Sequence, residues 1–496
     1  MAELASARGA VLEVSLPDSV EGLREPVEPC APVGLEASRR APRRTLSELP
    51  LEDQVARLVA RYERRWLETP AHPPGAAELG PAVGLRAKWR CRRRADRLVR
   101  RVCREVRRAP EEPAARERWE RRLKARICDF GETCLGWPPS FRGAPLAEEI
   151  FAATLELVRR ARELGERSGL ELAPGDLFQA LRNVWIMNGL QVLLGRPVAA
   201  TPAVFAYSML YPLTDNLLDD PEVSPEAKAA FNRRLGRRLA GGRPAAEDDR
   251  ERTVFDLVGE IEGQFPRDRH PRVFESLQAI HRGQVRSLGQ QQGVMSDEAL
   301  LAVSAEKGGT SVLADGFLVA GDLTPEEADW LFGYGVVLQL SDDLQDATED
   351  RAAGHRTLFS TAAGSRPLDE LASRLARLTA EVLRAAGRFD APGWPLVVEL
   401  IGRSCPLLQL QAVAEQRALF TPAYVRRLER HFPVRFAALP ALRRRAQRRW
   451  AKAERVLLRR RGAQSLAELW QQAPPPGAST PAPRSRDDGS RSGPRR

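Results

Sequence analysis

Two aspartate-rich stretches, each at the end of a long apolar run with a helical pattern, constrain the fold of this chain most. They read DNLLDD at residues 215–220 and DDLQD at residues 342–346. In each stretch two carboxylates lie four residues apart, so they share one face of a helix. Carboxylates at the ends of buried helices are costly to desolvate unless a positive group neutralises them. Mg²⁺ ions that hold a diphosphate fit this requirement, because Mg²⁺ prefers oxygen ligands and shares its shell with phosphate.

The helices that carry the two stretches have clear starts. TP pairs at residues 201–202 and 324–325 each combine an N-cap hydroxyl with a proline in the first helical position. The first helix is predicted to end at Asp220, because Pro221 discourages continuation. The second is predicted to run from Pro325 to about Asp350.

Each helix is apolar or aromatic upstream and acidic downstream. The stripe of the first helix holds, in order, Tyr207, Tyr211, Asp215 and Asp219, and that of the second holds Asp342, Asp346 and Asp350. Facing patches of this kind could hold metal ions against a diphosphate and promote cleavage of its carbon–oxygen bond. The resulting allylic cation needs a dry cavity with aromatic faces. The alternative is that these acids are solvated helix ends, since one DxxxD pattern is common on helix surfaces.

Composition predicts an all-α protein. The chain has 496 residues, 43% of them hydrophobic, and strand signals are scarce among long runs rich in Ala, Leu, Arg and Glu. Four segments are predicted. They are a disordered segment at residues 1–50, a basic helical N-terminal extension at 51–140, a helical domain at 141–461, and a short helix with a disordered tail at 462–496.

The formal net charge is +11, and arginine supplies most of the positive charge. Basic helices are predicted at about residues 85–126 and 438–461. They could bind an anionic membrane surface, close to a hydrophobic substrate. They carry no recognised nucleic-acid motif with interleaved aromatic residues, so no nucleic-acid partner is predicted. A solvated helix surface is the default interpretation of both segments.

The six cysteines form no CxxC pair and show no metal-ligand spacing. The first residues lack a basic start followed by an apolar stretch, which predicts no secretory signal. No run of about 18 apolar residues is present, which predicts no membrane-spanning helix. A reducing cytoplasm is the expected location, with peripheral membrane contact as the alternative.

The two aspartate stretches resemble those of the class I isoprenoid synthase superfamily. DNLLDD is similar to the first aspartate motif of squalene and phytoene synthases, and GVVLQLSDDLQDATEDRAAGHRTL resembles the second motif of phytoene synthases and chain-elongating polyprenyl synthases. EKGGTSVLADGFLVAG resembles the lysine-containing helix that precedes the second motif in polyprenyl synthases. The resemblance covers about residues 178–359. It implies a divergent bacterial branch with a helical bundle around a central cavity.

The resemblance also implies roles for individual residues. Mg²⁺ would be held by two sets of aspartates: Asp215 and Asp219 on one wall, and Asp342, Asp346 and Asp350 on the other. The substrate would be contacted by Lys307, Arg356, Tyr211, Tyr207 and Arg182. For Lys307 and Arg356 a solvated surface position is the other interpretation.

The activity implied is Mg²⁺-dependent ionisation of a prenyl diphosphate, followed by cyclisation or coupling of the allylic cation. One alternative is head-to-head condensation or chain elongation of prenyl diphosphates. Another is an isoprenoid-binding protein without turnover. A homo-oligomer is compatible with all three.

Overall fold

The computed structural model describes residues 49–461, apart from residues 109, 111, 171, 221 and 292–294. The described chain contains nineteen α-helices and no β-strand, so the all-α prediction is confirmed. The predicted disordered tails lie outside the described residues, except for residues 49 and 50.

The helices are numbered here in chain order, and short π- or 3₁₀-helical turns join some of them. The α-helices are α1 Leu51–Glu68, α2 Ala76–Leu79, α3 Leu85–Val106, α4 Pro113–Phe130, α5 Ser140–Gly143, α6 Pro145–Ser168, α7 Pro174–Leu193, α8 Pro202–Asp219, α9 Pro225–Leu239, α10 Asp249–Gln264, α11 Pro271–Ser287, α12 Asp297–Ala320, α13 Pro325–Gln345, α14 Ala347–Ala353, α15 Leu358–Ala362, α16 Asp369–Arg384, α17 Trp394–Glu415, α18 Pro422–Glu429 and α19 Leu439–Arg461. The turns are Gly131–Leu135, Leu288–Gln291, Ala385–Arg388, Arg417–Leu419 and Phe436–Ala438.

The predicted helix starts are confirmed for the two helices that carry the aspartates. The Thr201 side chain accepts a hydrogen bond from the Val204 amide at the start of α8. At the start of α13, Thr324 and Glu327 accept hydrogen bonds from each other's backbone amides, which is a capping box. The C-terminal prediction was wrong for the second helix, because α13 ends at Gln345 and α14 is separate.

Helices α12 and α13 pack with their backbones almost in contact at the centre of the bundle. Gly308 and Gly309 on α12 face Gly335 on α13, and a Cβ atom added to Gly335 would overlap the carbonyl oxygen of Gly308. Small residues allow two helices to approach in this way. This crossing fixes Lys307, next to the glycines on α12, relative to the aspartates at the end of α13.

The segment predicted as a basic extension, residues 51–140, divides into two parts. Its first helix, α1, belongs to the main core, where Tyr62 and Trp66 are buried. The Tyr62 hydroxyl donates a hydrogen bond to the Asp329 carbonyl at 2.9 Å. In contrast, α3 and α4 pack with α19 around a separate hydrophobic cluster. The sequence assigned α1 to the basic extension, and the structure shows that it packs on the main core.

The hydroxyl of Tyr62 tests whether α1 is part of the core. Tyr62→Phe keeps the ring but leaves the buried Asp329 carbonyl without this donor, so the free energy of unfolding should fall by about 1 kcal/mol. Urea denaturation measures the change. Leu67→Ala on the same helix removes an exposed side chain and should have little effect. Equal stability of Tyr62→Phe and the unmodified protein would contradict this packing.

One described helix, α17, is long and apolar enough to cross a membrane by length and composition alone. The sequence expectation was based on unbroken apolar runs, and α17 is interrupted by Glu399 and Arg403. Core helices pass the same test, and α17 packs against α7, α13 and α16.

Candidate active site

A cavity of about 260 Å³ lies between the C-terminal parts of α8, α11 and α13 and the middle of α12. It brings together one acid of the first aspartate stretch and all the acids of the second. The lining residues are Tyr211, Asp215, Leu218, Gln284, Ser287, Leu288, Lys307, Gln339, Asp342, Asp343, Asp346, Asp350 and His355. The two stretches, more than a hundred residues apart in sequence, therefore meet at one site.

The helix break at Asp346 does not separate the acids of the second stretch. The Asp346 amide donates to the Asp342 carbonyl at 2.9 Å, and the Asp350 amide donates to the Asp346 carbonyl at 2.8 Å. The chain thus keeps a helical hydrogen-bond spacing across the break. All three side chains line the cavity as a result.

The remaining predicted site residues lie at different distances from this cavity. Arg182 approaches it, with a guanidinium nitrogen 3.7 Å from a carboxylate oxygen of Asp342. Tyr207 is buried and lies one turn before the lining residue Tyr211. Arg356 is not among the lining residues. The side chain of Asp219 lies outside the described part of the structure.

The cavity is crowded with negative charge. Five aspartates line it, and Lys307 is the one lysine or arginine among the described lining residues. Burial, reinforced by repulsion from Asp342 and Glu349, raises the pKa of Asp346 to about 6. Burial and then the neighbouring aspartates raise the pKa of Asp350 to about 7, although Lys307 opposes the shift. Such shifts mark a place where a bound cation would relieve repulsion.

Asp343 is held more firmly than the other acids. It accepts hydrogen bonds from the Ser304 hydroxyl and the Gln339 amide, both at 2.8 Å. Burial nevertheless raises its pKa to about 6. Both carboxylate oxygens already have donors, so Asp343 is better suited to positioning than to direct binding.

The chemistry of the lining fits Mg²⁺, whose preferred ligands are carboxylate oxygens. Among the described residues, no three acidic, histidine or cysteine side chains stand close enough to form a metal-binding group by themselves. Mg²⁺ commonly takes only one or two carboxylates and completes its shell with water and substrate phosphates.

Sequence reasoning missed several lining residues. Gln284 lies in the polar block HRGQVRSLGQQQG, whose sequence is compatible with a diphosphate contact but favours a hydrated face, and it lines the cavity with Ser287. His355 was not singled out, although it directly follows Gly354, whose positive φ ends α14. The polar block was the available signal for Gln284, since it interrupts otherwise apolar helices.

Asn216, between the two acids of the first stretch, has a structural partner outside the cavity. Its amide nitrogen donates to a carboxylate oxygen of Asp176 at 2.6 Å. The other oxygen of Asp176 accepts from the Ala173 amide at the start of α7. An aspartate at position 216 would place two carboxylates in contact, and they would repel each other. The asparagine amide instead forms a hydrogen bond that links α8 to α7.

Aromatic side chains are buried upstream of the acids on α8 and α13. Tyr207, Trp330 and Tyr334 are buried in the core, and Trp330 stacks on Tyr334 with ring centroids 5.1 Å apart. Asp315 is fully buried nearby, accepts a hydrogen bond from Asn183 at 3.3 Å, and has its pKa raised well above the usual value by burial. These side chains therefore belong to the packed interior of the bundle and not to the lining of the cavity.

Comparison with family models and with curated proteins identifies no relative of this chain. No model of a protein family matches the chain, and no curated protein matches it significantly.

The raised pKa values predict how stability depends on pH. The folded-state pKa values of Asp346 and Asp350 lie above the unfolded-state value of about 3.9. The folded chain therefore binds more protons between about pH 4 and 7, and the metal-free protein should lose stability as the pH rises through that range. Thermal unfolding in EDTA measures this slope. Asp350→Asn should flatten it, whereas Glu326→Gln, at an exposed position in the first turn of α13, should not. If the unfolding temperature of the unmodified protein did not change with pH in this range, the raised pKa values of Asp346 and Asp350 would be contradicted.

Proposed function

We propose that this protein ionises a prenyl diphosphate with Mg²⁺ and then cyclises or couples the allylic cation. The observation that carries the proposal is the meeting of Asp215 with Asp342, Asp346 and Asp350 in one cavity that also holds Lys307. Clustered acids opposite a single lysine are suited to cations that accompany an anionic ligand.

Asp215 on one wall and Asp342 and Asp346 on the other are the residues that would hold Mg²⁺, with Asp350 beside them. Bound Mg²⁺ would neutralise charge on the leaving diphosphate. Asp219 is the further candidate from the first stretch.

The basic and polar side chains around the acids have separate roles in the proposal. Lys307 within the cavity and Arg182 next to Asp342 would donate to diphosphate oxygens. Gln284 and Ser287 add neutral donors or acceptors on the α11 side. Tyr211 presents an aromatic face one helical turn from Asp215, where it can shield a developing cation from water.

The dimensions of the cavity favour one short substrate. A volume of about 260 Å³ leaves little room for two isoprenoid chains side by side. Head-to-head condensation and chain elongation each require two chains, so cyclisation or another single-substrate reaction is the preferred form of the proposal. A cytoplasmic location and a homo-oligomeric state stay predictions.

Incubation of the purified protein with prenyl diphosphates of increasing chain length tests the proposal. We expect Mg²⁺-dependent release of diphosphate, fastest with the shortest allylic substrate, and products from one substrate molecule by mass spectrometry. Products built from two substrates would favour a prenyltransferase. Tight binding of a prenyl diphosphate without any release would favour the non-catalytic alternative and overturn the enzymatic proposal.

A further inference from the structure

Positive charge is concentrated in the three-helix unit formed by α3, α4 and α19. Helix α3 carries ten basic and two acidic residues, α4 six and three, and α19 ten and one. The unit therefore has a formal net charge of +20, whereas the whole chain has +11. The rest of the protein is net acidic, so the two segments predicted as separate basic helices form one strongly polarised surface.

Two acids of this unit pair with arginines, and most of its described arginines are exposed. Asp96 pairs with Arg100 and Arg449, which joins α3 to α19. Glu105 pairs with Arg126, which joins α3 to α4. Nine of the ten basic side chains of α3 are exposed, as are seven on α19. The outer surface thus consists of closely spaced cations, which repel one another unless an anionic partner covers them.

Two large apolar side chains project from the same surface. Leu85 and Trp89, one turn apart at the start of α3, are 64% and 54% exposed. The Arg93 guanidinium lies 4.0 Å from the centroid of the Trp89 ring. Leucine and tryptophan among arginines are the composition of helices that lie in the membrane–water interface.

We propose that the α3–α4–α19 unit docks the protein on an anionic membrane surface, with the arginines on lipid head groups and Leu85 and Trp89 in the interface. Nucleic acid is the other polyanion, but phosphate contacts would leave Leu85 without a role. The unit also contacts the helix that carries the second aspartate stretch: Arg443 on α19 pairs with Glu415 at 3.5 Å, and the adjacent Gln416 donates to the Gln345 carbonyl at 2.6 Å. The docking does not depend on the proposed enzymatic activity.

Co-sedimentation of the full chain with lipid vesicles tests the proposal. We expect binding to phosphatidylcholine vesicles that contain phosphatidylglycerol, little binding to pure phosphatidylcholine, and release at high salt. The combined change Arg90→Glu, Arg97→Glu and Arg104→Glu reverses three exposed charges at seven-residue spacing on one face of α3. It should weaken binding at least about 50-fold.

Two further variants make the test specific. Arg233→Glu, Arg237→Glu and Arg269→Glu reverse the same number of exposed charges on the main bundle and should leave vesicle binding within about twofold of the unmodified protein. Leu85→Ala with Trp89→Ala should weaken binding about tenfold while circular dichroism stays unchanged.

Several outcomes would overturn the proposal. Equal binding to both vesicle types, or equal loss in the two charge variants, would show that α3 is not the docking surface. Binding to a duplex DNA fragment that is lost in the α3 charge variant, without vesicle binding, would assign the surface to nucleic acid.

Discussion

Asp342→Asn is expected to lower Mg²⁺-dependent diphosphate release by about 10²–10³-fold, the loss typical of removing one charge-stabilising group from an active site. Asparagine has the same size as aspartate but lacks its negative charge. The variant therefore loses one of the carboxylates that are proposed to bind Mg²⁺ between α8 and α13. Its effect on folding should be small, because Asp342 is half-exposed and its contact with Arg182 is long, at 3.7 Å. Diphosphate release and thermal unfolding, measured on the same preparation, separate the two effects.

Two companion variants sharpen this prediction. Asp215→Asn, on the opposite wall, should cause a loss of similar size, since both walls are proposed to hold the same ions. Glu349→Gln removes an exposed acid next to Asp350 that does not line the cavity and should retain most of the activity. Full activity in Asp342→Asn or Asp215→Asn would remove these residues from the metal-binding set.

Gly335→Ala is expected to destabilise the protein by about 3 kcal/mol, near the upper end of the usual cost of overpacking a core. The added methyl group would overlap the Gly308 carbonyl oxygen and lie 3.0 Å from the Gly309 Cα. Backbone atoms have no alternative rotamer, so α12 and α13 must move apart. Lys307 would then shift relative to Asp342, and activity should fall even at temperatures where the variant is folded.

A second glycine provides the control for this effect. Gly402 lies within α17, where an added Cβ would meet no atom within 4 Å. Gly402→Ala should therefore be neutral or should stabilise the helix by about 0.5–1 kcal/mol. Thermal unfolding of both variants measures the difference. Similar unfolding temperatures for Gly335→Ala and Gly402→Ala would contradict the close crossing of α12 and α13.

Local signals predicted the parts of the fold that are decided locally. The start of α8 at Pro202 and that of α13 at Pro325 follow from hydroxyl–proline pairs, which act within one turn of the chain. The four-residue spacing of Asp342, Asp346 and Asp350 likewise placed them on one side, and the structure keeps them there although the helix ends between them.

Features that depend on distant contacts could not be predicted from the sequence. The burial of α1 could not be predicted, because it depends on contacts such as that of Tyr62 with Asp329, which lies 267 residues further along the chain. Gln284 lines the cavity because of how α11 packs, and its polar neighbours are equally compatible with a solvated face. The union of α3 and α19 into one basic surface depends on a shared hydrophobic cluster that includes Trp450.

Binding of Mn²⁺, a spectroscopic substitute for Mg²⁺, in the presence of inorganic diphosphate tests the central claim most directly. Electron paramagnetic resonance of the unmodified protein should show that diphosphate increases the amount of bound Mn²⁺. Asp215→Asn and Asp342→Asn should each reduce it, because the ions are proposed to sit between the walls of α8 and α13. Diphosphate-dependent Mn²⁺ binding that neither substitution changes, or the absence of any such binding by the folded protein, would contradict a shared metal–diphosphate site.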